Sequence, residues 1–86
     1  MREVRIVYFA WVRERIGTAE ETVALPDTVV TAGDLIAFLK THGEGYEAAL
    51  EHETVIRVAL DQEHVEHDEP IGNAREIALF PPMTGG

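Results

Sequence analysis

The chain has 86 residues, 45% of them hydrophobic, carries a formal net charge of −9, and contains neither cysteine nor serine. This length predicts one domain with a modest core, and the missing residue types exclude disulfides, thiolate chemistry and a serine nucleophile. The acidic balance argues against nucleic acid as a partner, because phosphate binding needs clustered Lys and Arg. No apolar run approaches the roughly 20 residues that span a membrane, and no signal-peptide pattern is found, so we expect a cytoplasmic protein with no membrane partner.

The first quarter of the chain predicts two paired strands with a short helix between them. Residues 4–9 are β-branched and aromatic and predict a first strand that is apolar on both faces and therefore central. A short helix is predicted over residues 11–16, with Gly17 as its C-cap. Residues 21–25 predict a second strand that pairs with the first and is closed by a Pro26-Asp27 turn.

The main helix is predicted to begin after Thr31. Thr31 suits the N-cap, and Asp34 follows three residues later, as in a capping box. Residues 35–39 then place apolar side chains at helical spacing, and Gly43 can end the helix. A shorter helix is predicted over residues 46–50.

The second half of the chain predicts strands over residues 55–60, 64–65 and 75–80. The order strand, strand, helix, strand, short strand, strand is typical of the α+β class and of the β-grasp (ubiquitin-like) layout. We therefore predict a mixed sheet of four to five strands with one main helix packed on one face and with the first and last strands adjacent and central. The predicted organisation is a β-grasp domain over residues 1–80 and an extended C-terminal tail over residues 81–86.

The tail, Pro81-Pro82-Met83-Thr84-Gly85-Gly86, carries the strongest functional signal. Its two prolines donate no backbone hydrogen bond, so they end sheet pairing, and they hold the chain extended. Six extended residues reach roughly 20 Å. Beyond Thr84 there is no side chain, so the terminus can enter a narrow channel with its carboxylate open to attack.

No other group of residues points to a catalytic centre. His64 and His67 stand among aspartates, but side chains three residues apart on a strand point to opposite faces, so we predict no metal site. Residues 44–86 carry ten acids and two cations, a net charge of −8, which is typical of solvated faces and would steer a basic partner. We therefore expect a protein that is not catalytic alone and that presents a group to another protein.

Three stretches resemble the small subunit of molybdopterin synthase, a ubiquitin-like sulfur carrier: residues 8–14 with Gly17-Thr18, residues 31–39, and residues 77–86. The resemblance implies that an ATP-dependent, ubiquitin-activating-like enzyme adenylates Gly86, which is then converted to a thiocarboxylate. The glycyl adenylate and the thioglycine would be covalent intermediates, with no cofactor bound. The tail would insert into the large subunit, in a heterotetramer of two small and two large subunits. Its sulfur would pass to cyclic pyranopterin monophosphate to build the dithiolene of molybdopterin.

The resemblance also implies a role for each position of the tail. Gly86 would carry the sulfur, the prolines would set the exit of the tail, and Phe80 would pack against the large subunit near its base. The residues that would contact the large subunit are Phe80, Pro81, Pro82, Met83, Thr84 and Gly85.

Two other functions stay open. One is a related sulfur carrier, for thiamine or for tRNA thiolation, or a carrier that also serves as a ubiquitin-like protein modifier. The Phe80-Pro81-Pro82 sequence argues against the thiamine type, which lacks the prolines. The other is a non-catalytic β-grasp interaction module whose ending is incidental.

Overall fold

Five strands form one mixed sheet. In the computed structural model, which describes residues 2–82, the strands are β1 (Arg2–Tyr8), β2 (Glu20–Leu25), β3 (Arg57–Leu60), β4 (Glu63–Val65) and β5 (Glu76–Phe80). Their order across the sheet is β2-β1-β5-β3-β4. The first and last strands, β1 and β5, are parallel neighbours, and the other pairs are antiparallel. The predicted mixed sheet of the β-grasp fold, with its first and last strands adjacent and central, is confirmed.

Three helices connect the strands: α1 (Ala10–Ile16), α2 (Ala32–Leu39) and α3 (Glu44–Ala49). Gly17 ends α1 in the left-handed conformation with φ +94° and donates its N–H to Arg13 O, which confirms the predicted C-cap. Thr31 begins α2 with a complete capping box, since Thr31 Oγ1 accepts from Asp34 N–H and Asp34 Oδ2 accepts from Thr31 N–H. These bonds from the Thr31 and Val30 N–H groups hold the pKa of Asp34 below its usual value.

The core lies between α2 and one face of the sheet. Every second side chain of the central strands points into it, and the buried strand residues include Val4, Ile6, Tyr8, Val58, Ile77 and Leu79. The helices contribute Val12, Leu35, Ile36 and Leu39. Because side chains alternate along a strand, the intervening residues lie on the opposite face, which we call the open face. No helix within residues 2–82 is both long and apolar enough to span a membrane.

The predicted start of the third strand was wrong. Val55 was predicted to start the third strand, but it lies in a 3₁₀ turn over Glu53–Val55 and is 40% exposed. The strand begins at Arg57, which is the residue paired with Phe80 at the end of β5. Val55 lies before the Arg57–Phe80 pair, so no residue of β5 lies opposite it. Its high β propensity therefore does not place it in a strand.

Two tyrosine hydroxyls share one carboxylate at the edge of the core. Tyr8 Oη and Tyr46 Oη each donate to Glu21 Oε2 over 2.7 Å, which joins α3 to β1 and β2. Burial, and then the hydrogen bond to Glu21, raises the pKa of Tyr8, and the same causes raise the pKa of Tyr46 to about 12. Both hydroxyls therefore stay protonated and donating at neutral pH.

Helix α3 approaches α1 at Gly45. A Cβ atom at this position would lie 2.8 Å from Arg15 O, a backbone atom that cannot move aside cheaply. We expect Gly45→Ala to lower the free energy of unfolding by about 1–3 kcal/mol, although alanine favours a helix over glycine by about 1 kcal/mol. Urea unfolding measures this, with Glu47→Ala on the exposed side of α3 as a control that should change stability by under about 0.5 kcal/mol. A Gly45→Ala variant as stable as the parent would show that the two helices lie further apart.

The turn between β3 and β4 is anchored by Asp61. Asp61 and Gln62 have φ values of +48° and +73°, as a two-residue hairpin turn requires. The Asp61 carboxylate accepts the N–H groups of Arg75 at 2.9 Å and Glu76 at 3.0 Å, which fixes the start of β5. These two backbone hydrogen bonds hold the pKa of Asp61 below its usual value of 3.8.

Acid should weaken this anchor in a defined direction. Because the folded-state pKa of Asp61 is lowered, its contribution to stability is complete above pH 3.8 and is lost as the pH falls through the folded-state pKa. Asp61→Asn keeps a hydrogen-bond acceptor and tolerates the left-handed turn, but it cannot titrate. We expect this variant to show a shallower loss of stability between pH 4 and the acid end of the titration, measured by urea unfolding at several pH values. An unchanged pH profile would contradict the role of the Asp61 charge.

Candidate functional site

The open face is apolar where β5 ends. Ala78 and Phe80 of β5 lie on it, and Ala59 of β3 is the register partner of Ala78. On the next strand, His64 pairs with Ala59, and its ring lies 6.0 Å from the Phe80 ring. Small residues at the centre therefore leave Phe80 as the largest apolar side chain at this end of β5.

A groove of about 600 Å³ runs along this face to the end of β5. Its apolar lining includes Phe9, Ala59, Ala78, Phe80, Pro81 and Pro82. Gln62 and Glu76 add polar groups, and Glu76 is paired with Arg5 of the neighbouring strand. The groove is thus a shallow apolar surface with polar groups at its margin, a composition common in protein docking surfaces.

The structure brings together those predicted site residues that it describes. Phe80 is the last residue of β5 and is half-buried, and Pro81 and Pro82 follow it outside any strand, beside the same groove. Phe80 therefore directly precedes the tail in the chain, and the contacts predicted for Phe80, Pro81 and Pro82 with the large subunit stay predictions. The predicted roles of Met83, Thr84, Gly85 and Gly86 lie outside the described residues and stay predictions.

Phe9 belongs to this surface although the sequence reading did not select it. It is 49% exposed and follows β1, in which Val4, Ile6 and Tyr8 point into the core. The same alternation sends residue 9 to the open face, so the strand period was the signal that identifies it. This exposed phenylalanine lines the same groove as Phe80 and extends the apolar surface to the turn that follows β1.

Ala10 borders the groove in a strained conformation. It is the first residue of α1, and its φ of +51° lies in the left-handed region, which costs a residue with a Cβ atom roughly 1–2 kcal/mol. Left-handed backbone next to a binding surface is a known feature of functional sites. Here it turns the chain sharply from β1 into α1 and leaves Phe9 at the surface.

Glycine should relieve this strain. We expect Ala10→Gly to raise the free energy of unfolding by about 0.5–1 kcal/mol, since glycine adopts positive φ without steric cost. Ala37→Gly, at an exposed position inside α2, is the matched control and should lower stability by about 1 kcal/mol. Thermal unfolding of both variants tests the difference in sign, and equal destabilisation would contradict the strain.

The histidines of the 64–67 segment do not form a metal site with their neighbours. His67 Nε2 donates to Ile56 O over 2.6 Å, whereas His64 stacks towards Phe80 on the open face. Within residues 2–82, no group of three or more His, Asp or Glu side chains is placed to hold a metal ion.

The His67 backbone has a separate role, because its carbonyl accepts Gly33 N–H at 2.8 Å where α2 begins. A Cβ atom on Gly33 would lie 3.3 Å from that carbonyl, so glycine allows the close approach.

Curated relatives match the chain over nearly its whole length. The molybdopterin synthase sulfur carrier subunit of Escherichia coli is 34% identical over 83 residues, covering 96% of this chain and 99% of that protein. Among solved structures, small archaeal modifier protein 1 of Haloferax volcanii superposes with a TM-score of 0.72 and 26% identity, covering 96% of this chain and 100% of that one. A chain of the complex of subunits 1 and 2 of molybdopterin-converting factor from Helicobacter pylori has a TM-score of 0.63, 21% identity, and coverage of 99% and 100%.

The model of the ThiS family matches residues 6–86, which include all five strands from the middle of β1 onward. The solved structures agree with the β-grasp fold, and the curated relative agrees in length as well as in sequence. The chain belongs to the ThiS family.

Proposed function

We propose that the chain is the sulfur carrier subunit of molybdopterin synthase. The observation that carries the proposal is the exit of Phe80-Pro81-Pro82 from the central strand of the sheet, beside an apolar groove and ahead of Gly85-Gly86. The Escherichia coli relative that matches 96% of this chain bears that function in its name. A chain that continues from a docking surface into a glycyl end suits a protein that other catalysts charge and discharge.

The chemistry follows from the groups available at Gly86. A carboxylate is a poor electrophile because its charge is spread over two oxygens. In the proposed cycle, one of these oxygens attacks the α-phosphorus of ATP and pyrophosphate leaves. A donor of sulfide-level sulfur then attacks the acyl carbon, forms the carbon–sulfur bond as AMP leaves, and gives a thiocarboxylate. The thiocarboxylate is ionised at neutral pH and nucleophilic through sulfur, so the carrier needs no cysteine of its own.

The carrier supplies neither an acid nor a base to the transfer step. The tail lacks titratable side chains, because Pro81, Pro82, Met83, Thr84 and the two glycines carry none. In the proposal, sulfur passes to cyclic pyranopterin monophosphate inside the large subunit, which orients the reactants and moves the protons. An ATP-dependent activating enzyme carries out the earlier adenylation.

The open face is the proposed docking surface for the large subunit. Phe80 stands at its centre and the tail leaves from its edge, so one partner can cover the groove and receive the tail at the same time. The Helicobacter pylori neighbour was solved as a complex of subunits 1 and 2. From the family resemblance, we propose an assembly of two small and two large subunits for this chain.

Reconstitution tests the proposal. The carrier is converted to its thiocarboxylate, and replacement of one oxygen by sulfur is verified by intact mass spectrometry. It is then mixed with the large subunit and cyclic pyranopterin monophosphate, and molybdopterin is measured by fluorescence of its oxidised derivative. Formation of molybdopterin in proportion to the thiocarboxylate supports the proposal. No product from a fully charged carrier and an active large subunit would overturn it.

A second candidate function is protein modification, which the 26% identity to small archaeal modifier protein 1 favours. The activated Gly86 would then form an amide with a lysine of a target protein. Lys40 is the single lysine of this chain, and its Nζ lies 3.8 Å from Glu53 Oε2. Chains of linked modifiers through lysine could therefore grow through one position alone. Tryptic peptides that carry the segment 76–86 on a lysine side chain, found in cells that express the chain, would support this function, because trypsin cleaves after Arg75 and no later Lys or Arg exists.

A further inference from the structure

Arg57 is a cation at the edge of the apolar groove. It is the first residue of β3 and pairs in register with Phe80 at the end of β5. Strand alternation places it on the same face as Ala59, which is two residues further along β3. The exposed residue Arg57 is therefore a neighbour of Phe80, which we place at the centre of the docking surface.

Within residues 2–82, the Arg57 guanidinium forms neither a hydrogen bond nor an ion pair. Arg5, the other arginine described on this face, is paired with Glu76. Glu66 lines the same hollow of about 240 Å³ as Arg57 and His64, but its carboxylate is more than 4.0 Å from the guanidinium. Arg57 is thus a charge on the open face that the described residues leave uncompensated.

This arrangement is unexpected from the charge of the chain. Residues 44–86 carry ten acids and two cations, Arg57 and Arg75, so carboxylates are abundant in this half of the chain. Arg75 is held near Asp61, whereas Arg57 is the register partner of Phe80. A cation beside apolar groups gains most from a carboxylate that arrives with a covering surface, because exclusion of water strengthens the attraction.

We propose that Arg57 is a specificity contact, and that the large subunit covers it with an Asp or Glu side chain next to the pocket that receives Phe80. This inference rests on the proposed function. Arginine presents a planar fork of donors, so one carboxylate can bind it through two hydrogen bonds and fix the rotation of the carrier on its partner. The apolar groove supplies area for docking, and Arg57 selects the register in which the tail meets its channel.

The experiment compares charge changes at two exposed arginines. Arg13 on α1 is also exposed and, within residues 2–82, is also without a side-chain partner, so its variants are matched in net charge. Binding of full-length carrier to the large subunit is measured by calorimetry at low and moderate salt. We expect Arg57→Gln to raise Kd about tenfold and Arg57→Glu about a hundredfold, because a carboxylate opposite position 57 repels the reversed charge. Arg13→Gln and Arg13→Glu should each change Kd by about twofold or less.

Each outcome decides between definite alternatives. Circular dichroism first verifies that all four variants are folded. Equal changes in Kd at positions 57 and 13 overturn the inference. The proposed function is not affected by that result, provided that the wild-type carrier binds the large subunit. No wild-type complex with the large subunit overturns both. If Arg57→Glu instead disrupts self-association in sedimentation experiments and leaves the large-subunit Kd unchanged, a second copy covers the face and the inference is wrong. Recovery of Arg57→Glu binding by an Asp→Lys or Glu→Lys change in the large subunit identifies the opposing carboxylate.

Discussion

Deletion of Gly86 is expected to abolish sulfur transfer and to leave the stability of the domain nearly unchanged. In the proposed cycle, the acyl carbon of Gly86 is the atom that is adenylated and carries the sulfur. A chain that ends at Gly85 still has a glycyl carboxylate, but this group lies one residue, about 3.5 Å, short of its place in the partner's channel. Such a displacement is large compared with the precision that a reacting group requires. The core lies within β1–β5 and the helices, so the free energy of unfolding should change by under about 0.5 kcal/mol.

The measurement is molybdopterin formation with the large subunit, run beside urea unfolding of the same preparations. Gly86→Ala keeps the length of the tail and adds one methyl group next to the reacting carbon. Its transfer rate should fall by about tenfold or more, while its stability stays at the parent value. The deletion tests the length of the tail, and Gly86→Ala tests the absence of a side chain next to the reacting carbon. Molybdopterin formation at the parent rate by the chain ending at Gly85 would remove Gly86 from the mechanism.

Local sequence signals predicted most of the fold. The capping box of Thr31 and Asp34 and the C-cap at Gly17 fixed where α2 begins and α1 ends, because the groups involved lie within a few residues of each other. The start of β3 was missed for the opposite reason. Whether Val55 belongs to a strand depends on where β5 ends, some 25 residues later in the chain, and propensity holds no information about that register.

The candidate site, like the fold, could be predicted from the sequence only in part. Its tail was visible in the sequence because prolines and glycines have a direct conformational meaning. The groove could not be predicted, since Ala59 lies on β3, Phe80 lies on β5 and Phe9 follows β1, and strand pairing brings these parts of the chain together. Arg57 was counted in the sequence as one of two cations in an acidic half. Its register with Phe80 gives it a specific position on the docking face.

Phe80→Ala should give the largest loss of affinity for the large subunit among alanine substitutions on the open face. The side chain is half-buried in the free carrier, so part of its ring is available to a partner, and the small residues Ala59 and Ala78 beside it leave room for close contact. Aromatic side chains at the centre of an interface commonly contribute about 2–4 kcal/mol, which corresponds to a rise in Kd of roughly 30- to 1000-fold. Calorimetry with the full-length carrier measures the change, at a temperature where unfolding experiments show the variant to be folded.

Val30→Ala is the matched control, because Val30 is another exposed apolar side chain, 54% accessible, and does not line the groove. Its truncation should change Kd by about twofold or less. Equal effects of the two substitutions would show that the partner does not use the end of β5 as its docking centre. A loss confined to Phe80→Ala would instead tie binding to the strand from which the tail departs. Binding of the carrier and entry of its tail into the partner would then occur together. The strand that places Phe80 against the partner also fixes the direction in which Pro81 and Pro82 continue the chain.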